Sequence, residues 1–548
     1  MDVGKTSIGI SNSPLVAQSE ASPKGGCAVD KALIRNLAMR EQYRDEYWRE
    51  HDPILDDRLL WRAQTFRHTV HLLPGQRILE LGCGDLRFTR ALLQVSRREN
   101  PITALTFQPS SGSDLSAEEH KRVDFVQTAE LPGALAGRQF ECIVAMDLLD
   151  RTNSSELLAI VYDLLAPGGE MVFYESNPWN PVHKLRGALL RLVGKQDPRN
   201  LINRSGLYEL LSEIGFLRIY AVFNDFVFAP LTRPLIWFLR NISILLENAP
   251  LVRTMAGSIL VHAQKPPRRK DRPKVSLFRH ESLRAAMSII IPCHNEEMNV
   301  GPLVERILEL YGEYIHEIIA VNDGSSDRTA EVLSGLAAKD PRVKSIHRAP
   351  PNGVGLAIAE GLKAATGQYV FTMDCDFQHL LPEFCDLFDG AAEGYDVVIG
   401  SRFSRHSVLL NYPFLKILAN RAFHTLVVLC LWVRVRDVTN NLKIMRREVV
   451  LDLRLSQPGF AVNAEIGLQP LLLGYRMKQV PISWINRTPD MGSSSFRLVR
   501  VGGGYWRVLL AVFLKRAFGI GPYRALTRGT AEKPNLFGDI ASERAAIR

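Results

Sequence analysis

A proline- and arginine-rich stretch at residues 265–280 has a complete strand–helix alternation on each side of it. Short apolar runs that end in polar or glycine residues, each followed by a helical period, close their backbone hydrogen bonds as parallel strands with crossover helices. Two such patterns in one chain predict an α/β protein of two doubly wound domains. The length of 548 residues agrees, since one core rarely serves more than about 250–300 residues. The expected order is a Ser- and Gly-rich disordered tail over 1–29, a first domain over 30–264 and a basic linker over 265–284. A second domain over 285–500 follows, then an amphipathic segment and tail over 501–548.

Composition removes several classes of function. The seven cysteines are odd in number and contain no C-x-x-C pair, so neither a disulfide framework nor a thiolate zinc site is indicated, and a reducing cytosol fits. The net charge of +9 is partly carried by Lys265-Pro266-Pro267-Arg268-Arg269-Lys270. That run is a solvated linker or a patch for anionic lipid head groups; no nucleic-acid module accompanies it, so nucleic acid is not an expected partner. The first residues lack a basic-then-apolar leader. No run reaches the roughly 20 apolar residues of a spanning helix; the nearest, Ala422 to Val433, is interrupted by His424. The expected location is cytoplasmic, with peripheral contact at the inner face of a membrane. Leu415 to Trp432 and Tyr505 to Phe518 suit a bilayer interface and a core-facing or dimer-forming helix equally. Residues 226–260 favour a helix covering the first sheet over an interfacial segment.

In the first half, a helical amphipathic stretch over Lys31 to His71 precedes Arg77-Ile78-Leu79-Glu80-Leu81-Gly82-Cys83-Gly84-Asp85, a strand entering a glycine turn. Glycines let a backbone approach a ligand closely, and the helix start that follows adds partial positive charge. A strand at Phe140 to Val144, a helix-and-turn at Leu164-Leu165-Ala166-Pro167-Gly168-Gly169-Glu170 and a strand at Met171 to Ser176 follow.

In the second half, four strands end in chemistry. Ser288-Ile289-Ile290-Ile291-Pro292-Cys293-His294-Asn295-Glu296 is the first, and Ile318-Ile319-Ala320-Val321-Asn322-Asp323 the second. Val370-Phe371-Thr372-Met373-Asp374-Cys375-Asp376-Phe377-Gln378 carries two carboxylates one residue apart, and Val397-Val398-Ile399-Gly400-Ser401-Arg402 ends in arginine. Ligands of open α/β sheets bind beyond the carboxyl ends of the strands. Hard oxygen donors at Asp374, Asp376 and Gln378 suit Mg²⁺ or Mn²⁺ shared with a diphosphate. Asp323 suits the donors of a nucleotide base, and Arg402 suits departing phosphate charge. Taken singly, Asp323 is a turn former and Arg402 a surface ion-pair partner; together they form a constellation.

The first half, over residues 60–264, resembles the class I S-adenosylmethionine-dependent methyltransferases. The resemblance rests on E-L-G-C-G, L-A-P-G-G and E-S-N-P-W-N-P. It implies a Rossmann-like fold and cofactor contacts at Glu80, Gly82, Gly84 and Thr106. Leu86 stands where the family usually has a third glycine, Thr106 where it has a ribose-binding acid, and Thr128 near the adenine. An active methyltransferase and a decayed scaffold or docking domain both fit.

The second half, over about residues 286–500, resembles the family 2 glycosyltransferases of GT-A nucleotide-diphospho-sugar-binding fold, and within them the dolichyl-phosphate mannosyltransferase group. The resemblance implies that Pro292, His294 and Glu296 line a nucleotide pocket and that Asp323 meets the base. Asp374, Cys375, Asp376 and Gln378 would form the metal and diphosphate shelf, and Arg402 and Arg487 two phosphate clamps. His294 stands where an aromatic residue is usual, Asp437-Val438-Thr439-Asn440-Asn441-Leu442-Lys443 stands for D-x-T-S-G-F, and Ser495 replaces a lysine. The Q-x-x-R-W motif of processive synthases is absent, which implies one sugar per encounter. A phosphate acceptor needs no general base, whereas a hydroxyl acceptor does; Glu465 is the candidate, and a helix-face carboxylate is its other reading. The chain is thus expected to be a bifunctional transferase moving a sugar from a nucleotide-diphospho-sugar to a lipid-linked or glycan acceptor. A non-catalytic, membrane-docked sensor of nucleotide sugars is the alternative.

Overall fold

The computed structural model describes residues 31–52, 54–108, 116–192, 194, 201–226, 242–243, 245–267, 275–375, 381–404, 407–410, 412–433, 435–485 and 498–529. The tail over 1–29, the centre of the linker, residues 227–241 and 244 of the 226–260 stretch, and the site residues Asp376, Gln378 and Arg487 lie outside them.

The first half is a seven-stranded sheet of order β3-β2-β1-β4-β5-β7-β6. Its strands are β1 (Ile78–Leu81), β2 (Ile102–Thr106), β3 (Val123–Gln127), β4 (Phe140–Met146), β5 (Leu165–Ser176), β6 (Leu217–Asn224) and β7 (Ser258–Gln264). β1 lies parallel to both β2 and β4, so the chain reverses its direction of travel across the sheet between β1 and β4. Such a switch point opens a crevice beyond the carboxyl ends. β7 runs antiparallel between β5 and β6. Ile78, Leu79 and Leu81 are almost wholly buried, which is why β1 reads as a continuous apolar run rather than an alternation.

The helices that accompany this sheet include α1 (Lys31–His51), α2 (Leu55–Thr69), α3 (Arg87–Val95), α4 (Ser154–Leu164), α5 (Pro181–Leu192) and α6 (Arg204–Ile214). The single amphipathic stretch expected over Lys31 to His71 is therefore two helices, the first ending at His51 and the second beginning at Leu55. The expected L-A-P-G-G turn is part of β5. Leu165 pairs with Phe140 and Glu170 with Cys142, and the intervening residues form an irregularity in the ladder with Gly168 at φ +79°.

The second half is another seven-stranded sheet, of order β10-β9-β8-β11-β14-β12-β15. Its strands are β8 (Met287–Cys293), β9 (Ile315–Asp323), β10 (Val343–Arg348), β11 (Tyr369–Thr372), β12 (Val397–Ser401), β14 (Lys443–Arg446) and β15 (Met477–Pro481). β13 (Leu409–Leu410) and β16 (Trp484–Ile485) form a small parallel pair beside it. Among the helices, α7 (Val300–Tyr311), α8 (Thr329–Lys339) and α10 (Phe384–Ala392) pack on one face of the sheet. The other face is covered by α9 (Val354–Ala364), α11 (Phe414–Leu431), α12 (Arg447–Asp452), α13 (Val462–Leu472) and α14 (Leu498–Phe518). The switch point lies between β8 and β11. β14, which the strand pattern does not announce, is inserted antiparallel between β11 and β12.

One expectation about α11 is corrected. By length and composition it is, among the described residues, the one helix apolar enough to cross a membrane. His424 does not interrupt it: the ring turns inward, with Nδ1 2.8 Å from the Asn420 carbonyl and Nε2 accepting from the Val438 amide. Burial pushes its pKa down to about 4, so it sits in the helix as a neutral group.

Candidate active site

The carboxyl ends of β8, β9, β11 and β12 bring the expected residues of the second half into one continuous run. Asp323 ends β9, and its backbone carbonyl lies 2.9 Å from His294 Nδ1. Cys293, beside His294, lies with its sulfur 3.8 Å from that of Cys375. Asp374, beside Cys375, accepts from Asn441 Nδ2 at 2.8 Å. Two residues past Asn441 is Lys443, which pairs across the ladder with Thr372. Pro292 and Glu296 flank the β8 end; the Glu296 amide donates to Thr329 Oγ1 and its carboxylate accepts from Asn299.

Asp323 is buried, and both carboxylate oxygens have donors: the Arg348 guanidinium on one, and the Gly353 amide at 2.6 Å on the other. A nucleotide base would therefore meet a carboxylate already fixed in direction. Gly353 opens α9 where a side chain would strike the Pro458 carbonyl, so the loop over 456–459 presses directly on the wall of this pocket.

Among the described residues no group of three His, Cys, Asp or Glu side chains converges on a common point. The metal was expected at Asp374, Asp376 and Gln378, and only Asp374 lies within the described residues. What is described fits a hard cation. Asp374 is half-buried, and beside it Asn441 Oδ1 is a buried oxygen without a hydrogen-bond partner. Oxygen donors of this kind suit Mg²⁺ or Mn²⁺.

Arg402 is not the exposed clamp that its place at a strand end suggests. It is buried, and its Nε and Nη2 meet the Asp437 carboxylate at 2.8 and 3.1 Å. Nη1 donates to the Tyr412 hydroxyl at 3.1 Å, and Nη2 also reaches Thr439. Most of its donors are thus spent inside the protein, so any effect on a diphosphate is by field and by positioning. Sequence reasoning named Lys443 only as the end of the Asp437–Lys443 motif and assigned it no role. It is wholly buried, its ammonium donates to the Asn440 carbonyl, and burial lowers its pKa to about 7 against the opposing pull of Asp437. The only signal was a lysine inside an apolar strand, Leu442-Lys443-Ile444-Met445.

Glu465 is corrected as a general base. It is wholly buried, and its oxygens accept from the Ser456 amide and hydroxyl, the Gln457 amide and the Tyr523 hydroxyl, the last at 2.6 Å. A carboxylate so saturated holds the 456–459 loop and has no lone pair directed at an acceptor. Burial raises its pKa.

In the first half the structure brings Glu80, Gly82, Gly84 and Thr106 to the β1–β4 crevice, but α1 lies across it. Glu41 on α1 accepts from the Gly84 amide at 2.8 Å, the Thr106 hydroxyl at 2.9 Å and the Phe107 amide at 2.8 Å. Arg44 donates to the carbonyls of Gly82 at 2.8 Å and Met146 at 3.0 Å. Gly82 and Gly84 hold φ of +69° and +53°, and a side chain at Gly84 would collide with the Asp45 carboxylate. Leu86, where the family's third glycine usually stands, is also left-handed at φ +65°, a strain of about 1–3 kcal/mol. Glu80 accepts from Thr89 at 2.7 Å, and burial raises its pKa to about 8. The space left beside Glu80, Gly82 and Arg44 is about 10 Å³, and a larger cavity of about 110 Å³, also reached by Arg44, is lined by Tyr43, Trp48, Asp147, Ser176 and Asp225. The donors and acceptors that a nucleoside amino acid would use are taken by α1, so in this conformation the crevice does not fit S-adenosylmethionine.

Comparison with known proteins agrees with two fused units. The family model described as glycosyl transferase family 2 matches residues 288–454, and one described as a methyltransferase domain matches residues 47–219. A dolichol-phosphate mannosyltransferase of Pyrococcus furiosus is 33% identical over 183 residues, which is 33% of this chain and 51% of that protein; the match thus spans about half the length of that relative. A polyprenol monophosphomannose synthase of Mycolicibacterium smegmatis is 30% identical over 219 residues, 39% of this chain and 82% of the relative. Among solved structures, glucosyl-3-phosphoglycerate synthase of Mycobacterium tuberculosis aligns with a TM-score of 0.34 and 21% identity, covering 45% of this chain and 85% of that one.

Proposed function

The chain belongs to glycosyl transferase family 2, with a methyltransferase domain fused ahead of it, and from that premise we propose that it moves one sugar from a nucleotide-diphospho-sugar to a polyprenyl-phosphate acceptor at a membrane surface. One observation carries this reading: the run from Asp323 through His294, Cys293, Cys375, Asp374 and Asn441 along the carboxyl edge of the second sheet. Asp323 and His294 receive the nucleoside. Asp374, with Asp376 and Gln378, holds a divalent cation that offsets charge building on the leaving diphosphate when bound. Arg402 is locked on Asp437, which offsets its charge and leaves it a positional part, while Arg487 would supply positive charge to the leaving diphosphate. A phosphate acceptor is ionised already and asks for no base, which agrees with the sealing of Glu465.

Exposed apolar side chains support the membrane surface. Leu415, Leu429 and Trp432 on and beyond α11, and Trp506, Leu510 and Phe518 on α14, are exposed. The two helices pack together through Phe423 and Tyr505, whose rings are 5.4 Å apart. Exposed apolar side chains on two packed helices suit an interaction surface, and an interfacial helix offers such side chains to acyl chains.

Mass spectrometry of lipid extracts incubated with a panel of nucleotide sugars and Mn²⁺ tests the reading. A new glycosyl-phosphoryl lipid is expected. Loss of donor with no lipid product, or equal turnover by Asp376→Ala, removes the assignment.

For the first half, the closure of its crevice by α1 favours a docking role over methyl transfer. A methylated product that depends on S-adenosylmethionine in the same extracts would reverse that preference.

A further inference from the structure

Beyond the carboxyl ends of β4 and β5, residues of α1, α2 and α5 enclose the cavity of about 110 Å³. Neither Gly82 nor Gly84 lines it. A single water needs roughly 10–15 Å³, so the space admits a phosphate-sized group. Five arginines line it against three aspartates, and most of these charges are already matched. Arg40 and Arg44 have carboxylates outside the cavity, Asp150 at 3.8 Å and Asp45 at 2.7 Å. Arg58 meets Asp52 at 2.6 Å and also contacts Asp225.

Arg62 is left over. Its side chain is 4% exposed, and its nearest carboxylate oxygen, on Asp225, is 3.6 Å away. One Nη reaches only the Met146 sulfur at 3.5 Å, and among the described residues Nε has no hydrogen-bond partner. The guanidinium lies between the Trp48 and Tyr174 rings, 5.3 Å from each centroid. A buried charge with so little compensation is expensive, and burial pushes its pKa down despite the pull of Asp225. A guanidinium in this state suits the oxygens of a phosphate, which match its fork of donors. Across the cavity Asp147 is fixed by the Ser176 hydroxyl at 2.7 Å, and it can accept from a hydroxyl of the same ligand.

One wall of the cavity is α5, which lines it through His183 and the partly exposed Arg186. Leu185, Leu189 and Leu192, spaced four and three apart on one face of that helix, are exposed, as is Trp179 just before it. Lys184 lies over the Trp179 ring at 5.1 Å, and Arg191 is in the last turn. The twelve residues of α5 include no acid. A basic helix with an exposed apolar stripe is complementary to an anionic lipid surface.

We propose that this cavity binds the phosphate head group of an anionic glycerophospholipid, with α5 lying in the bilayer interface beside it. The phosphate accepts from Arg62, a head-group hydroxyl donates to Asp147, and the α5 leucines meet the acyl chains. Lys184 and Arg191 meet neighbouring head groups. This names a partner for the docking role of the first half and rests on that reading; it does not depend on sugar transfer.

The test uses the full-length chain in flotation with vesicles of phosphatidylcholine, with and without phosphatidylglycerol. The parent is compared with Arg62→Met and with the double change Leu185→Glu, Leu189→Glu, and hydrogen–deuterium exchange is followed over residues 181–192. The parent should bind more tightly when phosphatidylglycerol is present, with exchange in α5 slowed. Arg62→Met should lower that excess affinity about tenfold or more, the size of one charge-assisted hydrogen bond, and the leucine pair should lower it alike. No excess in the parent, or an excess unchanged by Arg62→Met, overturns the proposal. Should Arg62→Met fail to fold, Arg186→Met is held to the same outcomes. Glycerol 3-phosphate in calorimetry supplies the soluble arm and should bind more weakly than the vesicles. Glycerol phosphate bound as tightly as the vesicles, with the leucine pair without effect, would make the ligand a free phosphate and overturn the lipid assignment. A methylated product dependent on S-adenosylmethionine would remove the docking role and leave these binding results standing.

Discussion

Arg402 and Asp437 form a buried, two-point ion pair, with Nε and Nη2 of one on the two carboxylate oxygens of the other at 2.8 and 3.1 Å. Burial would push the Asp437 carboxyl up, but the Arg402 guanidinium outweighs it and holds the group far below its usual range. The sign follows: a depressed carboxyl contributes stability that is present above the unfolded value of about 3.9 and lost only as pH falls through the lower folded value. Asp437→Asn leaves a buried guanidinium without its counter-charge and is expected to cost about 3–5 kcal/mol. Denaturant unfolding at pH 7 measures it. The double change Arg402→Met with Asp437→Leu should unfold at higher denaturant than Asp437→Asn, although sugar transfer is lost in both.

Lys443 gives a second pH dependence of opposite origin. Its pKa is lowered to about 7 by burial, with Asp437 pulling the other way. Between about 7 and the unfolded value near 10.4 the unfolded chain binds more protons, so stability rises with pH over that window. Thermal melts of the parent should therefore gain from pH 7 to 9, and Lys443→Met should flatten that gain. An equal rise in both chains would remove Lys443 as its source.

Closure of the first crevice predicts a competition. S-adenosylhomocysteine should bind the parent chain weakly or not at all in calorimetry at millimolar ligand. Glu41→Ala with Arg44→Ala frees the Gly84 and Phe107 amides and the Gly82 carbonyl, and is expected to tighten binding at least tenfold. Tight binding by the parent, with α1 still protected from exchange, would show that the crevice opens without displacing Glu41.

The metal shelf predicts a large kinetic effect. Removing one preorganised electrostatic contact to developing charge commonly costs about 10²–10³ in rate. Asp376→Ala, or chelation of divalent cations, should lower sugar transfer by at least that much, and added Mn²⁺ should restore only the chelated parent. Initial rates over a Mn²⁺ series check both.

Sequence order alone carried the two α/β patterns and the strand ends at Glu80, Asp323, Asp374 and Arg402. Local periodicity reports which residues lie within a strand, and in a parallel sheet every strand ends on the same edge. The same residues did not reveal their partners. Glu41 reaches Thr106 across 65 positions, Glu383 reaches Ser483 across 100, and Glu465 reaches Tyr523 across 58. Residue type and spacing therefore determined that this chain has two sheets and an acidic edge suited to a diphosphate. Whether each polar group on those edges faces a ligand or another part of the protein was settled by packing. An isolated carboxylate has the same chemistry in both settings, and only the elements brought against it from far along the chain decide which lone pairs remain for a ligand.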